Sequence, residues 1–323
     1  MFCPECGRQV PEGAAFCPGC GRYLDSGYAF SPEPSQTVTT TCDPAYTEGK
    51  PAFDGSKLFT VAVVVLVVVA IVVLPYLYKD PRGELYGESF TESYSGETTG
   101  YTIKSFEWEY LGGEFSCTYG IKNADYNLHY FDSPSVRDVT YWPSSVNFVE
   151  VNDTITSLES TLSNLYKQAF GKNPVADQSY ADFILAFVQG AIAYATDDSQ
   201  YHHLEYYAYP AETLYSKKGD CEDTAILCAA LFKKAGFTAA LLTLPGHMMA
   251  GVVLSSYETP DHDDGEILCQ KIGGKTFYAC ETTLDSFQPV GVSYGVEGSH
   301  FYSHYLNSGK VGQGAYTFYE VPA

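Results

Sequence analysis

The chain has 323 residues, of which 45% are hydrophobic, and this is enough for one or two domains with a buried core. Its formal net charge of −21 argues against nucleic acid as a partner, because binding to a phosphate backbone depends on Lys and Arg. Most of that charge lies after residue 78, where the acidic and tyrosine-rich composition predicts a soluble domain with a polar surface.

Residues 1–23 contain two Cys-x-x-Cys pairs, formed by Cys3, Cys6, Cys17 and Cys20. Each pair can present two thiolates to one metal ion. Because so short a segment cannot bury a core, a bound ion is its expected source of stability, and two disulfides are the alternative. The segment resembles the small zinc ribbons at the start of many prokaryotic proteins, which implies structural Zn²⁺.

A polar segment and then an apolar run follow the cysteine pairs. Residues 24–57 are rich in Ser, Thr, Pro and acidic residues without periodicity, and they predict a disordered linker. Residues 58–78 carry no charge and are long enough to cross the lipid bilayer as a single transmembrane helix. The polar segment before them argues against a cleaved signal peptide, and their valine-rich composition argues against a buried soluble helix. Residues 79–100 predict a polar stalk.

The orientation of this span is predicted from redox chemistry, since its flanking charges are balanced. Lys50 and Lys57 precede it, and Lys79 and Arg82 follow it, so the positive-inside rule favours neither orientation. Four metal-binding thiolates favour a reducing compartment. We therefore expect a single-pass cell-membrane protein with its zinc ribbon in the cytoplasm, available to a protein partner there, and its large domain outside.

The large domain begins with a predicted extension over residues 101–175. Short apolar and aromatic runs up to about Tyr130 alternate with turn residues and predict strands. A helix follows, capped by Asp153 or Thr154 and ending at Phe170.

The second part of the large domain, residues 176–323, alternates helical and strand-like patterns. Asp220 is a plausible N-cap, so Cys221 would open a helix. The predicted elements are helices over 180–195 and 221–235, strands over 237–244 and 247–254, and a hairpin over 266–283 that turns at Gly273-Gly274.

Three residues at the edges of these elements have the chemistry of a thiol nucleophile and its base. Cys221 at a helix start gains from the helix dipole, which favours the thiolate. His247, on the next strand, could pair with it as imidazolium, and Glu281 could accept the other ring N–H and fix the tautomer. A core cysteine and a solvated strand glutamate are the structural alternatives.

Residues from about 180 to 290 resemble the transglutaminase-like superfamily, which has a papain-like fold. The resemblance rests on PAETL, on GDCEDTAIL, on GH at a strand start and on YACETT, where many members have D-P-T. It implies an α+β core in which a helix bearing Cys221 packs on an antiparallel sheet bearing His247 and Glu281. These three would be nucleophile, base and orienting acid, with no catalytic cofactor. The overall layout is similar to archaeal membrane-anchored members.

The resemblance implies a membrane-anchored thiol-dependent amide hydrolase, peptidase or acyltransferase that forms a thioester and acts on a peptide or protein outside the cytoplasm. The alternative is a non-catalytic extracellular binding or sensor domain coupled to the cytoplasmic zinc ribbon. That alternative rests on the two-sided layout, which a simple secreted hydrolase does not need.

Several residues of the large domain keep more than one interpretation. Gln189, Tyr207 and the backbone N–H of Cys221 are the candidates for stabilising an oxyanion. His202 and His203 could be metal ligands, but no third ligand stands at a suitable spacing. The remaining cysteines of this domain predict either two disulfides or four buried thiols: Cys117, Cys228, Cys269 and Cys280.

Overall fold

The computed structural model of the chain describes most of the large C-terminal part. The described residues are 85–129, 132, 137, 139, 142–244, 246–260, 266–284, 286–293 and 317–322. No helix within these ranges is long and apolar enough to cross a membrane. The zinc ribbon, the linker and the transmembrane helix, all predicted within residues 1–78, lie outside the described residues and stay predictions.

The first sheet has three strands in the order β1-β3-β2. Strands β2 (Tyr101–Tyr110) and β3 (Gly113–Lys122) form an antiparallel hairpin, as the alternating pattern predicted. Strand β1 (Ser89–Glu92) pairs with β3 in parallel, so part of the segment expected to be a stalk joins the fold. Its Phe90 ring stacks on Phe115, with centroids 5.0 Å apart, which explains why this short strand docks.

Six α-helices and one 3-10 helix lie in the described ranges, and their caps differ in part from the expected ones. The N-cap of the long helix is Asn152, whose side chain accepts from the Ile155 N–H at 3.1 Å, rather than Asp153 or Thr154. The helices are α1 (Asn123–Asn127), the 3-10 helix (Trp142–Phe148), α2 (Asp153–Phe170), α3 (Gln178–Ala191), α4 (Asp197–Tyr201), α5 (Pro210–Ser216) and α6 (Cys221–Lys234).

Helix α3 ends at Ala191, before the residue expected from its apolar pattern. The next residues form β4 (Ala193–Tyr194), which pairs in parallel with β5 (Lys218–Gly219). This ladder stands immediately before α6, so it fixes the chain that leads to Cys221. Tertiary pairing has overridden the helical pattern here.

The second sheet has five strands in the order β12-β6-β7-β10-β9, all antiparallel to their neighbours. A further short ladder joins β8 and β11. The turn between β9 and β10 is formed by Gly273 and Gly274, both at positive φ, as the sequence predicted. The strands are β6 (Ala239–Leu244), β7 (His247–Val253), β8 (Glu266–Ile267), β9 (Cys269–Ile272), β10 (Lys275–Cys280), β11 (Val292–Ser293) and β12 (Thr317–Glu320).

Helix α6 is the centre of the core. Its residues from Glu222 to Phe232 are all buried, because α6 packs on strands β6 and β7 and on helices α2, α3 and α5. The first sheet contributes to the same core, since Trp108 of β2 packs edge-on against Phe187 of α3. A helix enclosed on every side holds the position of its first residue, Cys221, firmly.

The cysteines of the large domain follow neither of the two expected patterns. Cys117, Cys228 and Cys280 are free and buried, whereas Cys269 is disulfide-bonded. Burial raises the pKa of the Cys228 thiol well above its usual range, as expected for a cysteine that serves as a small core residue.

Candidate active site

Cys221 is the first residue of α6, and Asp220 precedes it as the N-cap residue. The glycine before them is required sterically, because a side chain at Gly219 would approach the Asp223 Cβ to 2.6 Å. Burial is the main influence on the pKa of the Cys221 thiol, and the Met248 backbone is near enough to oppose that rise. The nucleophile candidate therefore lies beside the start of β7, where His247 stands.

The thiol is not held as a thiolate in this structure. Cys221 Sγ donates to Glu222 Oε2 at 3.0 Å. Burial, together with the nearby carboxylates of Glu222 and Asp220, raises the pKa of Cys221 well above its usual range. The sequence predicted the opposite, because the helix start favours a thiolate. That effect is outweighed by burial first, and then by two acidic neighbours in the same turn.

His247 and Glu281 form a buried ion pair. His247 is the first residue of β7, Glu281 directly follows β10, and His247 Nε2 lies 2.9 Å from Glu281 Oε2. Burial acts to lower the pKa of His247, but the Glu281 carboxylate outweighs it and the pKa is raised. Burial acts to raise the pKa of Glu281, but His247 and Thr283 outweigh it and the pKa is lowered. The pair therefore favours imidazolium and carboxylate.

The two threonines that follow Glu281 explain how a glutamate side chain is held beside His247. Glu281 Oε1 accepts from both the backbone N–H and the hydroxyl of Thr283, at 3.0 and 2.7 Å. Thr282 shares a hydrogen bond of 2.8 Å with Thr224 of α6. One threonine fixes the carboxylate, and the other ties the strand end to the helix that carries Cys221.

Gln189 and Tyr207, two candidates for stabilising an oxyanion, differ in how the structure engages their side chains. The Gln189 side-chain amide donates to the backbone oxygens of Glu281 and Gln288, at 2.7 and 3.2 Å, and accepts from the Gln288 N–H. Gln189 thus positions the loop after β10 and has no donor left for an oxyanion. Tyr207 is buried, and burial raises the pKa of its hydroxyl; its role as an oxyanion donor stays a prediction.

A buried ion pair holds the segment before the nucleophile, and no pattern in the sequence predicted it. Arg137 donates to both Glu212 oxygens, at 2.7 and 3.1 Å, and to the backbone oxygen of Tyr207 at 2.9 Å. The guanidinium also lies over the rings of Tyr206 and Tyr209. Glu212 belongs to the PAETL sequence, so part of that motif serves to place the loop that leads to the site.

Asp223 and the pair of adjacent histidines also have defined positions. Asp223 accepts from the Ala208 N–H at 2.7 Å and so ties the preceding loop to the helix. His202 and His203 are exposed after α4 and belong to no metal-binding group among the described residues.

Family models match two parts of the chain. A zinc-ribbon domain matches residues 2–24, and a transglutaminase-like domain matches residues 160–252. The second match runs from α2 to β7 and includes Cys221 and His247, while Glu281 lies beyond it. No curated protein matches the chain.

These matches define the chain as carrying an N-terminal zinc ribbon and a transglutaminase-like domain. The mixed helices and sheets of the described part fit the α+β class expected for such a domain. The ribbon match supports structural zinc binding by the N-terminal cysteines, and the domain match is consistent with a family of thiol-dependent enzymes.

Proposed function

We propose that the protein is a membrane-anchored, thiol-dependent acyl-transfer enzyme, either an amide hydrolase or peptidase or an acyltransferase. Cys221 is the nucleophile, His247 the base and acid, and Glu281 the orienting group. The observation that carries this proposal is the 2.9 Å hydrogen bond between His247 and Glu281. Thr283 braces the same carboxylate from the other side, an arrangement suited to holding an imidazole for proton transfer.

The proposed reaction begins with a proton transfer that the resting site does not favour. The Cys221 thiol leaves Glu222 and gives its proton to neutral His247, and the sulfur attacks an amide carbonyl. The imidazolium returns that proton to the leaving amine as the C–N bond breaks and a thioester remains. Water or an amine then attacks the thioester while His247 takes a proton from it. The C–S bond breaks, the acid or new amide leaves, and the imidazolium returns the proton to the Cys221 sulfur.

Glu281 has a defined part in each proton transfer. Although Glu281 is buried, His247 and Thr283 lower the pKa of its carboxyl group. Glu281 therefore stays ionised while the imidazole gains and loses its proton. A fixed negative charge at Oε2 stabilises the imidazolium that forms when His247 accepts the thiol proton.

A papain-like core is the finer statement of the fold that we propose. It is supported by the position of Cys221 at the start of a buried helix, with that helix packed on the antiparallel sheet. His247 opens a strand of the same sheet, and Glu281 follows the neighbouring strand. This is the order of parts that the sequence resemblance implies.

We propose further that the large domain works outside the cytoplasm on a peptide or protein, with the zinc ribbon inside. The two N-terminal Cys-x-x-Cys pairs support this placement, because metal-binding thiolates favour a reducing compartment. The uncharged run at residues 58–78 would anchor the chain in the bilayer. A cytoplasmic protein partner of the zinc ribbon is part of the same proposal.

A thioester-trapping experiment tests the enzyme proposal. The whole chain, purified in detergent, is mixed with an activated acyl ester and analysed by peptide mass spectrometry. We expect an acyl adduct on Cys221 that decays by hydrolysis in water. If the enzyme favours acyl transfer, an added amine should make this adduct decay faster. Cys221→Ala should remove the adduct, whereas Cys228→Ala, in the core part of the same helix, should keep it. An adduct that persists in Cys221→Ala would refute the proposal.

A non-catalytic binding or sensor domain is the second candidate, and one observation favours it. Cys221 Sγ donates to Glu222, and burial raises the pKa of the thiol well above its usual range, as expected for an inert cysteine. Under this candidate the large domain binds an extracellular peptide or polymer, and the zinc ribbon carries the signal. Deletion of residues 1–57 should then abolish cellular function, and full function of that truncation would count against it.

A further inference from the structure

Strand β2 is an outer strand of the first sheet, and one of its edges is unpaired among the described residues. The strand order is β1-β3-β2, so β2 pairs only with β3. In the register of this hairpin, the Asn123 N–H donates to the Gly100 oxygen at 2.8 Å. Bonded and non-bonded positions alternate in an antiparallel pair. The even-numbered residues of β2 therefore bond to β3, and the odd-numbered residues direct their backbone N–H and C=O groups away from it.

The free edge of β2 is long and its backbone groups are available. None of the odd-numbered residues from 103 to 109 has a backbone hydrogen bond within the part of the chain that the structure describes. All of these residues are exposed, whereas the residues between 105 and 110 that alternate with them are buried. An open edge of this kind is a template for another strand. The residues of the free edge are Ile103, Ser105, Glu107 and Glu109.

A cleft of about 490 Å³ lies directly beside this edge. Ser105 and Glu107 line one side of it, and residues 189–193 with Lys217 line the other. We name this space the edge cleft. Its volume is typical of ligand-binding clefts. The unpaired backbone groups on its first side recur at every second residue, which is the spacing that an extended peptide chain matches.

The other side of the edge cleft belongs to segments that hold the candidate active site. Gln189 donates to the backbone oxygen of Glu281 at 2.7 Å. The Ala193 N–H donates to the Lys217 oxygen at 3.0 Å, and β5, which follows Lys217, leads through Asp220 into Cys221. A peptide in the edge cleft would therefore lie next to the segments that carry the orienting acid and the nucleophile.

The charge of the free edge indicates which peptide fits it. Glu107 and Glu109 form no ion pair with any described residue, and Lys217 has its Nζ over the ring of Phe106, 5.4 Å from the centroid. A second copy of the chain, paired through the same edge, would bring two more glutamates to this face and no cation. Lys or Arg at alternate positions of a peptide would instead face the glutamates across the strands.

We propose that the free edge of β2 binds an extended peptide segment with Lys or Arg at alternate positions. The segment adds to the first sheet as a further strand and occupies the edge cleft, with backbone hydrogen bonds to Ser105 and Glu107. A second step rests on the proposed function: the segment belongs to the peptide or protein substrate, and its binding holds the reacting amide near Cys221.

Fluorescence anisotropy tests the binding without reference to activity. The probe is a fluorescein-labelled peptide of about ten residues that alternates Lys and Thr, added to the whole chain in detergent. We expect saturable binding. The same peptide with N-methyl groups on alternate backbone nitrogens keeps its charge but loses the donors that face the edge, so it should bind about tenfold or more weakly.

Variants of the free edge test its place in the fold. Ser105→Pro removes an N–H that faces the edge cleft and leaves the ladder to β3 intact, so it should weaken binding about tenfold or more, whereas Ser105→Thr should keep it. Glu107→Lys should also weaken binding by reversing a facing charge. Glu88→Lys, at an exposed position before β1, is the matched control. Melting temperatures show whether each variant is folded.

A second experiment separates this inference from the enzyme proposal. Cys221→Ala should bind the Lys-Thr peptide as the wild type does. The same peptide carrying an activated acyl ester should acylate Cys221 faster than the simple ester, and Ser105→Pro should remove only that advantage. If neither ester acylates Cys221 while the peptide still binds, the enzyme proposal fails and the peptide-binding edge stands.

Two results would overturn the peptide-binding edge. The first is equal binding of the N-methylated peptide, or equal losses in Glu107→Lys and Glu88→Lys, since either result indicates only attraction to the acidic surface. The second is a wild-type dimer, seen by light scattering, that Ser105→Pro dissociates and that does not bind the peptide. That result would assign the free edge to a second copy of the chain.

Discussion

The histidine side of the candidate site and its cysteine side differ in how their buried polar atoms are satisfied. On the histidine side, both oxygens of Glu281 have partners, supplied by His247 and Thr283. On the cysteine side, the Cys221 thiol donates a hydrogen bond to Glu222. Three buried carboxylate oxygens near it have no partner in the described ranges: Asp197 Oδ1, Asp220 Oδ1 and Asp223 Oδ2.

This difference indicates which half of the site is ready for chemistry. His247 and Glu281 are held together in the arrangement that the proposed function requires. Burial, followed by the charges of Glu222 and Asp220, raises the pKa of the Cys221 thiol, so the proposed nucleophile favours its protonated form. Under the proposed function, activation of the site therefore requires a change near Cys221 rather than near His247.

The largest expected effect comes from breaking the histidine side. Glu281→Gln removes the charge that stabilises imidazolium, and His247→Ala removes the base, so each should reduce thiol-dependent turnover by about 10²–10⁴-fold. Because Glu281 raises the pKa of His247, Glu281→Gln should also move the histidine limb of the pH–rate profile to lower pH. Equal profiles for wild type and Glu281→Gln would show that the pair has no part in proton transfer.

Replacing Arg137 tests how much an ion-pair partner stabilises the buried carboxylate of Glu212, on the cysteine side of the site. The Arg137 side chain is buried and bridges to Glu212, so Arg137→Leu would leave that carboxylate alone. The free energy of unfolding should fall by about 3–5 kcal/mol, measured by urea denaturation. The double variant Arg137→Leu, Glu212→Leu should recover part of the loss. Additive losses in the double variant would contradict the pairing.

Glu222→Gln sharpens the account of the inert thiol. The change removes one of the carboxylates that raise the Cys221 pKa, so the midpoint of the pH dependence of alkylation should move to lower pH. A midpoint that is lower by about one pH unit would correspond to about 1.4 kcal/mol. Asp198→Asn removes an exposed charge nearby and serves as the control. An unchanged midpoint in Glu222→Gln would mean that burial alone sets the thiol pKa.

The smallest expected effect is the pH dependence of stability due to the His247–Glu281 pair. Because the pKa of His247 is raised on folding, this residue contributes stability that is fully present below pH 6.5. That stability is lost as the pH rises through the histidine pKa of the folded state. The lowered glutamate pKa contributes stability above 4.5 that is lost as pH falls through its folded value. The difference in melting temperature between wild type and Glu281→Gln should therefore be largest between these two limits. A difference that is flat with pH would contradict the ion pair.

The sequence predicted the places of the candidate residues in the fold better than their interactions. The helix start at Cys221, the strand start at His247 and the Gly273-Gly274 turn follow from local rules of capping, periodicity and turn chemistry, and the structure has all three. Strand β12 pairs with β6 although the two lie far apart in the chain, and no local pattern reports such a pairing.

The electrostatic state of the nucleophile was predicted wrongly for a related reason. The helix dipole at Cys221 is a local effect, and so are the charges of Glu222 and Asp220, which lie beside it in the sequence. Burial is the largest cause of the raised thiol pKa, and it depends on long-range packing that is visible only once the fold is known.

The pH dependence of Cys221 alkylation in the whole chain, compared with His247→Ala, tests the central claim most directly. Peptide mass spectrometry separates Cys221 from the other cysteines. The account predicts that at neutral pH wild-type Cys221 reacts about tenfold faster or more, because His247 removes the thiol proton. Superimposable rates for the two proteins across the pH range would contradict it and would favour a binding domain that carries these residues without the chemistry.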